Sequence, residues 1–353
     1  MLSSAYGYLQ GMKRVVVLLL ITFVITAAKP QKVIFDHDGG IDDFVTLLLL
    51  LSKPELVSVV GITILDADCR VEVAANTTLK LLHSLGFKDI PVAISTLPAI
   101  NPFPDIWRWS GLAVDVQPLI NYVDPNSLNQ NLVQQPGQDF LWELLRTQLE
   151  PITIVATGPL SNVAYILTHY GDEAAARIKE VWWMGGALYV QGNVDYPGHD
   201  GSAEWNAFWD PAAVGVVWNS SVPIVMVPLD VTNRVPVTPD LIYRFGRQAG
   251  HLYSVLAGTI WSKVISWVYE RPHEPYFAWD TLTAACLLSR QLCTRVDDLV
   301  SYAVVSGPSQ GRVVATNQCV AHSSEVSRQR TTAAVMQVDA EEFYDFVLEA
   351  LKR

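Results

Sequence analysis

Residues 32–44, KVIFDHDGGIDDF, join an apolar run to a glycine-containing turn and then to a second apolar run. Four aspartates fall within eight residues of this segment: Asp36, Asp38, Asp42 and Asp43. Because side chains alternate along a strand, Asp36 and Asp38 are expected to point to the same side. Asp42 and Asp43 would open a helix, where the helix dipole favours acids. The segment therefore predicts a strand–turn–helix unit with clustered carboxylates at the turn.

Short apolar runs alternate with amphipathic stretches along the rest of the chain. IPVAIS, ITIVAT and VPIVMVPLDV have the composition of buried strands, whereas DFLWELLRTQL and PAAVGVVWNS have that of helices. Residues 239–291 are mostly helical in pattern, and further strands and a final helix follow. This order predicts a single α/β domain over residues 29–353, with an open, mostly parallel (mixed) sheet flanked by helices in a Rossmann-like arrangement. Ligands of such sheets bind beyond the carboxyl ends of the strands.

Residues 1–28 have the pattern of a signal peptide. Lys13 and Arg14 precede the apolar run VVVLLLITFVITAA, and Ala28 places a small residue at its end. The run is shorter than the roughly 20 residues that a membrane span needs. The pattern predicts a secreted protein with no stable membrane insertion after cleavage. The alternative is an uncleaved N-terminal segment that anchors the protein to a membrane.

Composition narrows the classes of function. The 353-residue chain has a net charge of −11 and no cluster of Lys and Arg, which argues against a nucleic-acid-binding protein. It contains four cysteines: Cys69, Cys286, Cys293 and Cys319. They are too few for a disulfide scaffold and lack the spacing of a zinc site, so ordinary buried thiols are expected. Asn76 in NTT and Asn219 in NSS match the glycosylation tripeptide, a motif of low specificity.

The acidic turn needs a compensating charge, since like charges repel and carboxylates near a core are costly to desolvate. Ligands that are all oxygen suit Ca²⁺ or Mg²⁺ better than Zn²⁺. An EF-hand would need a Glu at the end of the loop, where this chain has Leu47. A phosphatase of the aspartyl-phosphate type also begins with Asp-x-Asp, but it usually has Thr or Val at the position of Gly40 and leaves Asp42 and Asp43 unexplained. A solvated acidic turn is the structural alternative.

Other strand ends carry further polar groups. The segment IVATGPLSN ends a strand at Thr157, whose backbone carbonyl is a candidate cation ligand. The long polar loop MGGALYVQGNVDYPGHDGSAEWNAFWDP contains Asn193, Glu204 and Asn206, which are residue types that hydrogen-bond sugars. Loops of this length tend to be functional. Asp280, in YFAWDTLTAAC, lies at a predicted helix start, where a lone aspartate is most often an N-cap.

Two of the eleven tryptophans, Trp107 and Trp279, are candidates for binding a ligand. Trp107 lies in the proline-rich segment NPFPDIWRW, and Trp279 directly precedes Asp280. Tryptophans in loops can stack on a flat ring, although packing is the commoner role.

Taken in order, these segments resemble the nucleoside hydrolases, whose signature is Asp-x-Asp-x-x-x-Asp-Asp after the first strand. The similarity runs from Lys32 to the C-terminus and is closest to the purine-specific, inosine–adenosine–guanosine preferring branch. It is carried by the segments DHDGGIDDFV, DADCRVE, NPFPDIWR, TGPLSNVA, MGGALYVQGNV, DGSAEWNAFWDP, LAGTIW and YFAWDTLTAA. The resemblance implies that residues 29–353 are a Ca²⁺-dependent catalytic domain that hydrolyses the N-glycosidic bond of purine ribonucleosides, and that it forms a homodimer.

The resemblance also implies roles for individual residues. The Ca²⁺ ligands would be Asp38, Asp43, the backbone carbonyl of Thr157 and Asp280. The substrate-binding residues would be Asp42, Asp68, Trp107, Asn193, Glu204, Asn206 and Trp279. Asp38 would also act as the general base that removes a proton from the attacking water. Asp36 would orient the metal ligands, and Arg271 would belong to a loop beside the site.

The expected base preference depends on Trp279. The pyrimidine-tolerant branch often has a His at this position, where it protonates the leaving base. Stacking between Trp107 and Trp279 would instead favour a protonated purine by cation–π attraction. The chain departs from the purine branch at Gly40, where that branch has Asn, and at Ser266, where a His is expected. The alternatives are a broader hydrolase of the inosine–uridine type and a non-catalytic nucleoside-binding protein on the same scaffold.

Overall fold

The computed structural model describes residues 29–264, 275–316, 318 and 325–353. The predicted signal peptide, Ser266, Arg271 and Cys319 lie outside these residues. The strands are β1 (Gln31–His37), β2 (Val57–Ile64), β3 (Val92–Ile94), β4 (Ile152–Ala156), β5 (Ile178–Met184), β6 (Ile224–Val227), β7 (Cys293–Ala303), β8 (Val313–Ala315) and β9 (Arg330–Val338). The helices are α1 (Ile41–Ser52), α2 (Val71–Ser84), α3 (Leu112–Asp115), the 3₁₀ turn Pro118–Ile120, α4 (Pro125–Leu128), α5 (Gly137–Thr147), α6 (Ser161–Arg177), α7 (Trp205–Trp209), α8 (Pro211–Asn219), α9 (Leu229–Thr232), α10 (Pro239–Gly246), α11 (Leu252–Ser262), α12 (Trp279–Leu288) and α13 (Ala340–Ala350).

The strands of the described residues form one nine-stranded sheet in the order β3-β2-β1-β4-β5-β6-β9-β7-β8. Only β7 runs antiparallel to its neighbours, so the predicted open and mostly parallel sheet is confirmed. From β1 the chain adds β2 and β3 on one side and then returns to add β4 on the other. Such a reversal leaves a crevice at the carboxyl ends of the two central strands, here β1 and β4.

Both faces of the sheet are covered. Val33 and Phe35 of β1 pack into one hydrophobic cluster, and Ile34 between them packs into another on the opposite face. The helix α1 lies inside the first cluster, and all twelve of its residues are buried. A helix that is hydrophobic on every side is expected to be buried in this way.

The turn between β1 and α1 depends on glycine. Gly39 has a φ of +80°, and a Cβ at this position would come within 2.3 Å of the Cβ of Ala74 in α2. Glycine is the residue that tolerates both this backbone conformation and this close approach. The turn therefore brings α2 against the acidic segment and places Asp42 and Asp43 in the first turn of α1, as predicted.

Two predicted elements differ from the structure at their C-terminal ends. Strand β6 stops at Val227, and the segment after Pro228, predicted as strand, begins the short helix α9. Proline cannot donate a ladder hydrogen bond, which accounts for the early end of the strand. The pattern of NVAYILTHYG predicts a helix that ends at Gly171, but α6 continues through this residue, where φ is +52° and the helix is interrupted. Residues 265–274 of the predicted helical region lie outside the described residues.

The expectation that the cysteines are ordinary thiols is wrong for one pair. Cys286 and Cys293 form a disulfide, with their Cα atoms 5.7 Å apart. The bond joins the last turn of α12 to the first residue of β7. The short connection between the two elements brings these cysteines together. Sequence spacing does not reveal this proximity. Cys69 is buried and free, as predicted.

Within the described residues, no helix has both the length and the apolar character to cross a membrane.

Candidate active site

The acidic residues converge at the crevice between β1 and β4. Asp36 lies near the end of β1, and Thr157, directly after β4, donates a 2.9 Å hydrogen bond from its backbone N–H to the carbonyl of Asp36. Asp280 joins them from α12, because its backbone N–H donates a 2.8 Å hydrogen bond to Oδ2 of Asp42. The structure thus brings together three segments that are far apart in the sequence: the β1–α1 turn, the end of β4 and the start of α12.

Asp42 and Asp43 are each held by two donors. Asp43 accepts hydrogen bonds from the Thr157 hydroxyl (2.6 Å) and from the backbone N–H of Gly40 (2.9 Å). Asp42 accepts from the Tyr276 hydroxyl (2.8 Å) and from the N–H of Asp280 (2.8 Å). Both carboxylates are therefore fixed in orientation, and Asp42, expected to contact substrate, also links α1 to α12.

Asp38 is held less tightly. Among the described residues, the backbone N–H of Asp68 donates a 3.1 Å hydrogen bond to Oδ2 of Asp38, and no other backbone group donates to its carboxylate. Its carboxyl also lies within hydrogen-bonding reach of Asp43, an acid–acid contact that requires a proton on one of the two groups. Asp38 therefore has the acceptor capacity that a general base or a metal ligand needs.

Burial and mutual repulsion raise the pKa values of these acids. Burial, with the nearby charge of Asp43, raises the pKa of Asp38 well above its usual range. Burial, followed by repulsion from Asp42, raises the pKa of Asp43 to about 8 and that of Asp280 well above the usual range. Ionising this cluster is therefore costly unless a positive charge is present.

No Lys or Arg among the described residues forms an ion pair with Asp38, Asp42, Asp43 or Asp280. The nearest imidazole, His37, has its Nδ1 3.9 Å from Oδ2 of Asp43. Burial lowers the pKa of His37 to about 3, so its ring is neutral at physiological pH and supplies no compensating charge.

Asp36 is fully buried beneath the cluster. Its Oδ1 accepts hydrogen bonds from the Thr63 hydroxyl (2.6 Å) and from the amide of Asn162 (2.8 Å). Its Oδ2 has no hydrogen-bond partner among the described residues, and burial raises the pKa of the carboxyl to about 6. Thr63, near the end of β2, and Asn162, in the first turn of α6, were not predicted as site residues, although Thr63 lies at a strand end and Asn162 in the segment that follows β4.

Glu204 and Asn206 reach the same crevice from the long loop. Glu204 is 3% exposed and caps α7, since it accepts from the backbone N–H groups of Asn206 (2.8 Å) and Ala207 (3.2 Å). It also accepts from the backbone N–H of Gly186 (3.0 Å). Burial raises the pKa of Glu204 to about 7. The amide of Asn206 donates to the carbonyl oxygens of Thr157 and Met184, each at 3.1 Å. Asn206 thereby orients the carbonyl predicted to bind the cation.

Asn193 lies on the long loop and is exposed. Its Oδ1 accepts a hydrogen bond from the backbone N–H of Trp205 (3.1 Å), and its carbonyl accepts from the Trp205 indole (3.0 Å). Trp205, which the sequence patterns did not single out, packs edge-on against Trp107 with ring centroids 5.3 Å apart. Trp205 therefore connects the loop predicted to bind the sugar to a residue predicted to stack on the base.

The two predicted stacking tryptophans are half-buried and belong to separate packing clusters. Trp107 packs with Phe103 and Trp205, whereas Trp279 packs with Tyr276 at a centroid distance of 4.7 Å. Asp68, predicted to face the base, is half-buried beside Asp38, and burial raises its pKa well above the usual range.

The donor set fits a hard divalent cation, although no three His, Cys, Asp or Glu side chains among the described residues are arranged as a complete metal site. Carboxylates of Asp38, Asp43 and Asp280 and the carbonyl of Thr157 are all oxygen ligands. The uncompensated buried acids, and the proton that the Asp38–Asp43 contact requires, are the features that a cation would relieve.

Comparison with known proteins assigns the chain to a family. The model of the inosine-uridine preferring nucleoside hydrolase family matches residues 33–345. The chain belongs to this family of nucleoside hydrolases. The pyrimidine-specific ribonucleoside hydrolase RihA of Klebsiella pneumoniae is 29% identical to it over 332 residues, which cover 90% of this chain and 96% of that protein.

Solved structures agree with the family assignment. The inosine-uridine preferring nucleoside hydrolase from Bacillus anthracis matches this nucleoside hydrolase with a TM-score of 0.80 and 33% identity, covering 91% of this chain and 99% of that one. A plant nucleoside hydrolase at 24% identity matches with a TM-score of 0.77 and supports the fold.

The predicted family, fold and enzyme class are thus confirmed: the protein is an enzyme that hydrolyses N-glycosidic bonds. The phosphatase alternative is not supported. The relatives include pyrimidine-specific and inosine-uridine preferring enzymes, so the purine branch stays a prediction.

Proposed function

We propose that this nucleoside hydrolase is a Ca²⁺-dependent purine nucleosidase, which converts inosine, adenosine or guanosine to ribose and free base. The observation that carries the metal proposal is the cluster of Asp38, Asp43 and Asp280 beside Thr157, with no paired Lys or Arg among the described residues. Buried acids in this number favour a divalent cation, and ligands that are all oxygen favour Ca²⁺.

Asp38 acts as the general base in this proposal. When bound by these ligands, Ca²⁺ supplies the charge that neutralises the acids and lowers the pKa of a coordinated water. Asp38 would take the proton of the attacking water, because it retains free acceptor capacity. Asp43, held by Gly40 and Thr157, keeps its orientation while Asp38 changes its protonation state.

The ribose binds among the remaining polar side chains. Cleavage of a glycosidic bond passes through an oxocarbenium-like transition state, and carboxylates around the sugar stabilise its positive charge. Asp42 and Glu204 supply such charge, and each is held rigid by protein donors. Asn206 and Asn193 hydrogen-bond the sugar hydroxyls from the long loop.

Purine preference is supported by the two tryptophans. Trp107 and Trp279 each have an aromatic neighbour that restrains the ring, Trp205 and Tyr276 respectively. Stacking on a base contributes about 1–3 kcal/mol, and a larger purine ring offers more overlap. Trp279 occupies the position where an acidic His would protonate a pyrimidine leaving group, and Asp68 lies on the side of the base.

Similarity to the Bacillus anthracis enzyme favours a second candidate, hydrolysis of both inosine and uridine. Base release from inosine, adenosine, guanosine, uridine and cytidine distinguishes the two. Purine preference predicts a kcat/KM for purine nucleosides at least about ten-fold above that for uridine. We expect Trp279→Ala to lower the kcat/KM for purine nucleosides by about ten-fold or more. Equal or faster uridine hydrolysis supports the second candidate. Binding of inosine without release of hypoxanthine indicates a non-catalytic protein.

We also propose that the protein is secreted through residues 1–28 and forms a homodimer. The Cys286–Cys293 disulfide supports secretion, because disulfides persist in oxidising compartments. Expression of the full chain in a secretory host, followed by N-terminal sequencing, tests cleavage before Lys29. Retention of the intact chain in the membrane fraction supports the anchored alternative. Light scattering of the released protein tests the dimer.

A further inference from the structure

The chain contains two Asn-x-Ser/Thr tripeptides, Asn76-Thr77-Thr78 and Asn219-Ser220-Ser221. The sequence motif does not separate them, but their surroundings in the fold differ. From these surroundings we propose that Asn219 is an N-linked glycosylation site and that Asn76 is not. The modification would attach an oligosaccharide to the side-chain amide of Asn219.

The first tripeptide is enclosed within helix α2. The Asn76 amide donates a 2.8 Å hydrogen bond to Oδ1 of Asp115, an oxygen that also receives Lys80 at 3.0 Å. Thr78 is fully buried, with its hydroxyl 3.3 Å from Nε2 of His37. A glycan on the half-buried Asn76 would have to displace its amide from the buried ion pair of Lys80 and Asp115. The folded chain therefore excludes a sugar at this position.

The second tripeptide lies on the surface. Asn219 ends helix α8 and is exposed, as is Ser221. The Oδ1 of Asn219 accepts a 2.9 Å hydrogen bond from the backbone N–H of Arg328, whereas its Nδ2 donates to no acceptor among the described residues. Glycosylation replaces one hydrogen on Nδ2 and leaves the carbonyl oxygen unchanged. The bond from Arg328 can therefore persist in the modified protein.

The end of α8 does not need the Asn219 amide for its own stability. Arg330 donates to the carbonyl of Val217 (3.0 Å), and Arg328 donates to the carbonyl of Trp218 (3.2 Å). These contacts satisfy the carbonyl groups that a helix leaves unpaired at its C-terminus. The Asn219 side chain is thus held by one contact through its oxygen and presents its nitrogen to solvent.

The position is also remote from the active site. Helix α8 starts shortly after Asn206 and ends just before β6, so it runs back along the sheet from the carboxyl-end edge to the amino-end edge. The acids lie at the carboxyl-end edge. A glycan on Asn219 therefore leaves the mouth of the site open. The rate of nucleoside hydrolysis is expected to be unchanged.

The transfer requires a lipid-diphosphate-linked oligosaccharide as the co-reactant, so the inference rests on the proposed secretion. Nδ2 of Asn219 forms a bond to the anomeric carbon of the first sugar. The bond between that carbon and the diphosphate oxygen breaks, the lipid diphosphate leaves with its electron pair, and one amide proton is released.

Expression in a eukaryotic secretory host tests the proposal. The full chain is produced with its own N-terminus and, in parallel, with a foreign leader before Lys29. Peptide mass spectrometry before and after digestion with a peptide N-glycosidase measures occupancy at both asparagines. We expect a glycan at Asn219, its loss in Asn219→Gln and in Ser221→Ala, and its retention in Asn76→Gln.

An unmodified Asn219 in the chain with the foreign leader, or a glycan at Asn76, would overturn the proposal. If Asn76→Gln does not fold, the occupancy of Asn76 and Asn219 is still measured on peptides of the wild-type protein. If only the chain with the foreign leader is secreted and glycosylated, the secretion proposal fails while the site assignment stands. Equal inosine hydrolysis by wild type and Asn219→Gln confirms that the variant is folded.

Discussion

The N–H of Asp280 donates a 2.8 Å hydrogen bond to a carboxylate oxygen of Asp42, across 238 positions of sequence. The other oxygen of Asp42 receives the Tyr276 hydroxyl at 2.8 Å. Asp42 lies in the first turn of α1 and Asp280 in the first turn of α12, so one carboxylate joins two helix N-termini. Positive helix ends stabilise a negative charge, which lowers the cost of holding Asp42 in a buried site.

Removal of the Tyr276 hydroxyl should therefore disturb the site. We expect Tyr276→Phe to lower kcat/KM for inosine by about ten-fold or more, because a hydrogen bond to a charged group contributes about 1.5–3 kcal/mol. Steady-state kinetics measures this effect. Tyr243→Phe, at a tyrosine that is 64% exposed, is the matched control and should change kcat/KM by less than about two-fold. Wild-type kinetics in Tyr276→Phe would show that this contact does not position Asp42.

Asp38→Asn should remove the general base while preserving the shape of the side chain. We expect kcat to fall by about 10²–10⁴-fold, the usual contribution of general base catalysis. The fold should persist, because Asp38 accepts one backbone hydrogen bond among the described residues. Thermal unfolding checks this point, and Asp105→Asn, at a side chain that is 94% exposed, is the control. Turnover by Asp38→Asn near the wild-type rate would exclude the role given to Asp38.

The metal-free protein should lose stability as pH rises. Burial raises the pKa of Asp36 to about 6, of Glu204 to about 7 and of Asp43 to about 8. A carboxyl with a raised folded-state pKa binds its proton more tightly when folded, so its contribution is present at low pH and is lost as pH rises through that pKa. We expect Tm in a chelator to fall between about pH 5 and about pH 8.

Calcium should remove most of that pH dependence, since a cation favours the ionised acids. Thermal unfolding across the same pH range, with chelator and with excess Ca²⁺, makes the comparison. The Tm difference between the two conditions should be largest at the alkaline end. A Tm in chelator that rises with pH over this range would contradict the assignment of buried, uncompensated acids.

The disulfide should stabilise the helix that carries Asp280. In the chain-entropy treatment, a loop as short as that between Cys286 and Cys293 contributes about 2 kcal/mol. We expect the double variant Cys286→Ala, Cys293→Ala to unfold at a Tm several degrees lower and to bind Ca²⁺ more weakly. A reductant should lower the Tm of wild type but not that of the double variant. An equal response of both proteins would indicate that the bond is absent in solution.

The acidic turn was the most predictable part of the site. Its signal is contiguous: an apolar strand, two glycines and acids at a helix start follow one another in the chain. The positive φ of Gly39 and the close approach of Ala74 explain the first glycine. The alternation of strands and helices was readable for the same reason, because each element carries its own periodicity.

Contacts between distant segments were not predictable in this way. Nothing in the sequence around Tyr276 predicts that its hydroxyl donates a hydrogen bond to Asp42. Glu204 was identified by residue type, but its hydrogen bond from Gly186 depends on how the long loop folds back. The Cys286–Cys293 pair likewise depends on the turn between α12 and β7.

The most direct test of the metal-dependent mechanism is inosine hydrolysis by one preparation of the full chain. The rate is measured after chelation and again after Ca²⁺ is restored. Elemental analysis of the chelated sample establishes how much metal remains. We predict that hydrolysis falls with the bound Ca²⁺ and returns when Ca²⁺, but not Na⁺, is added. Undiminished hydrolysis in a sample with far less than one divalent metal ion per chain would contradict the account.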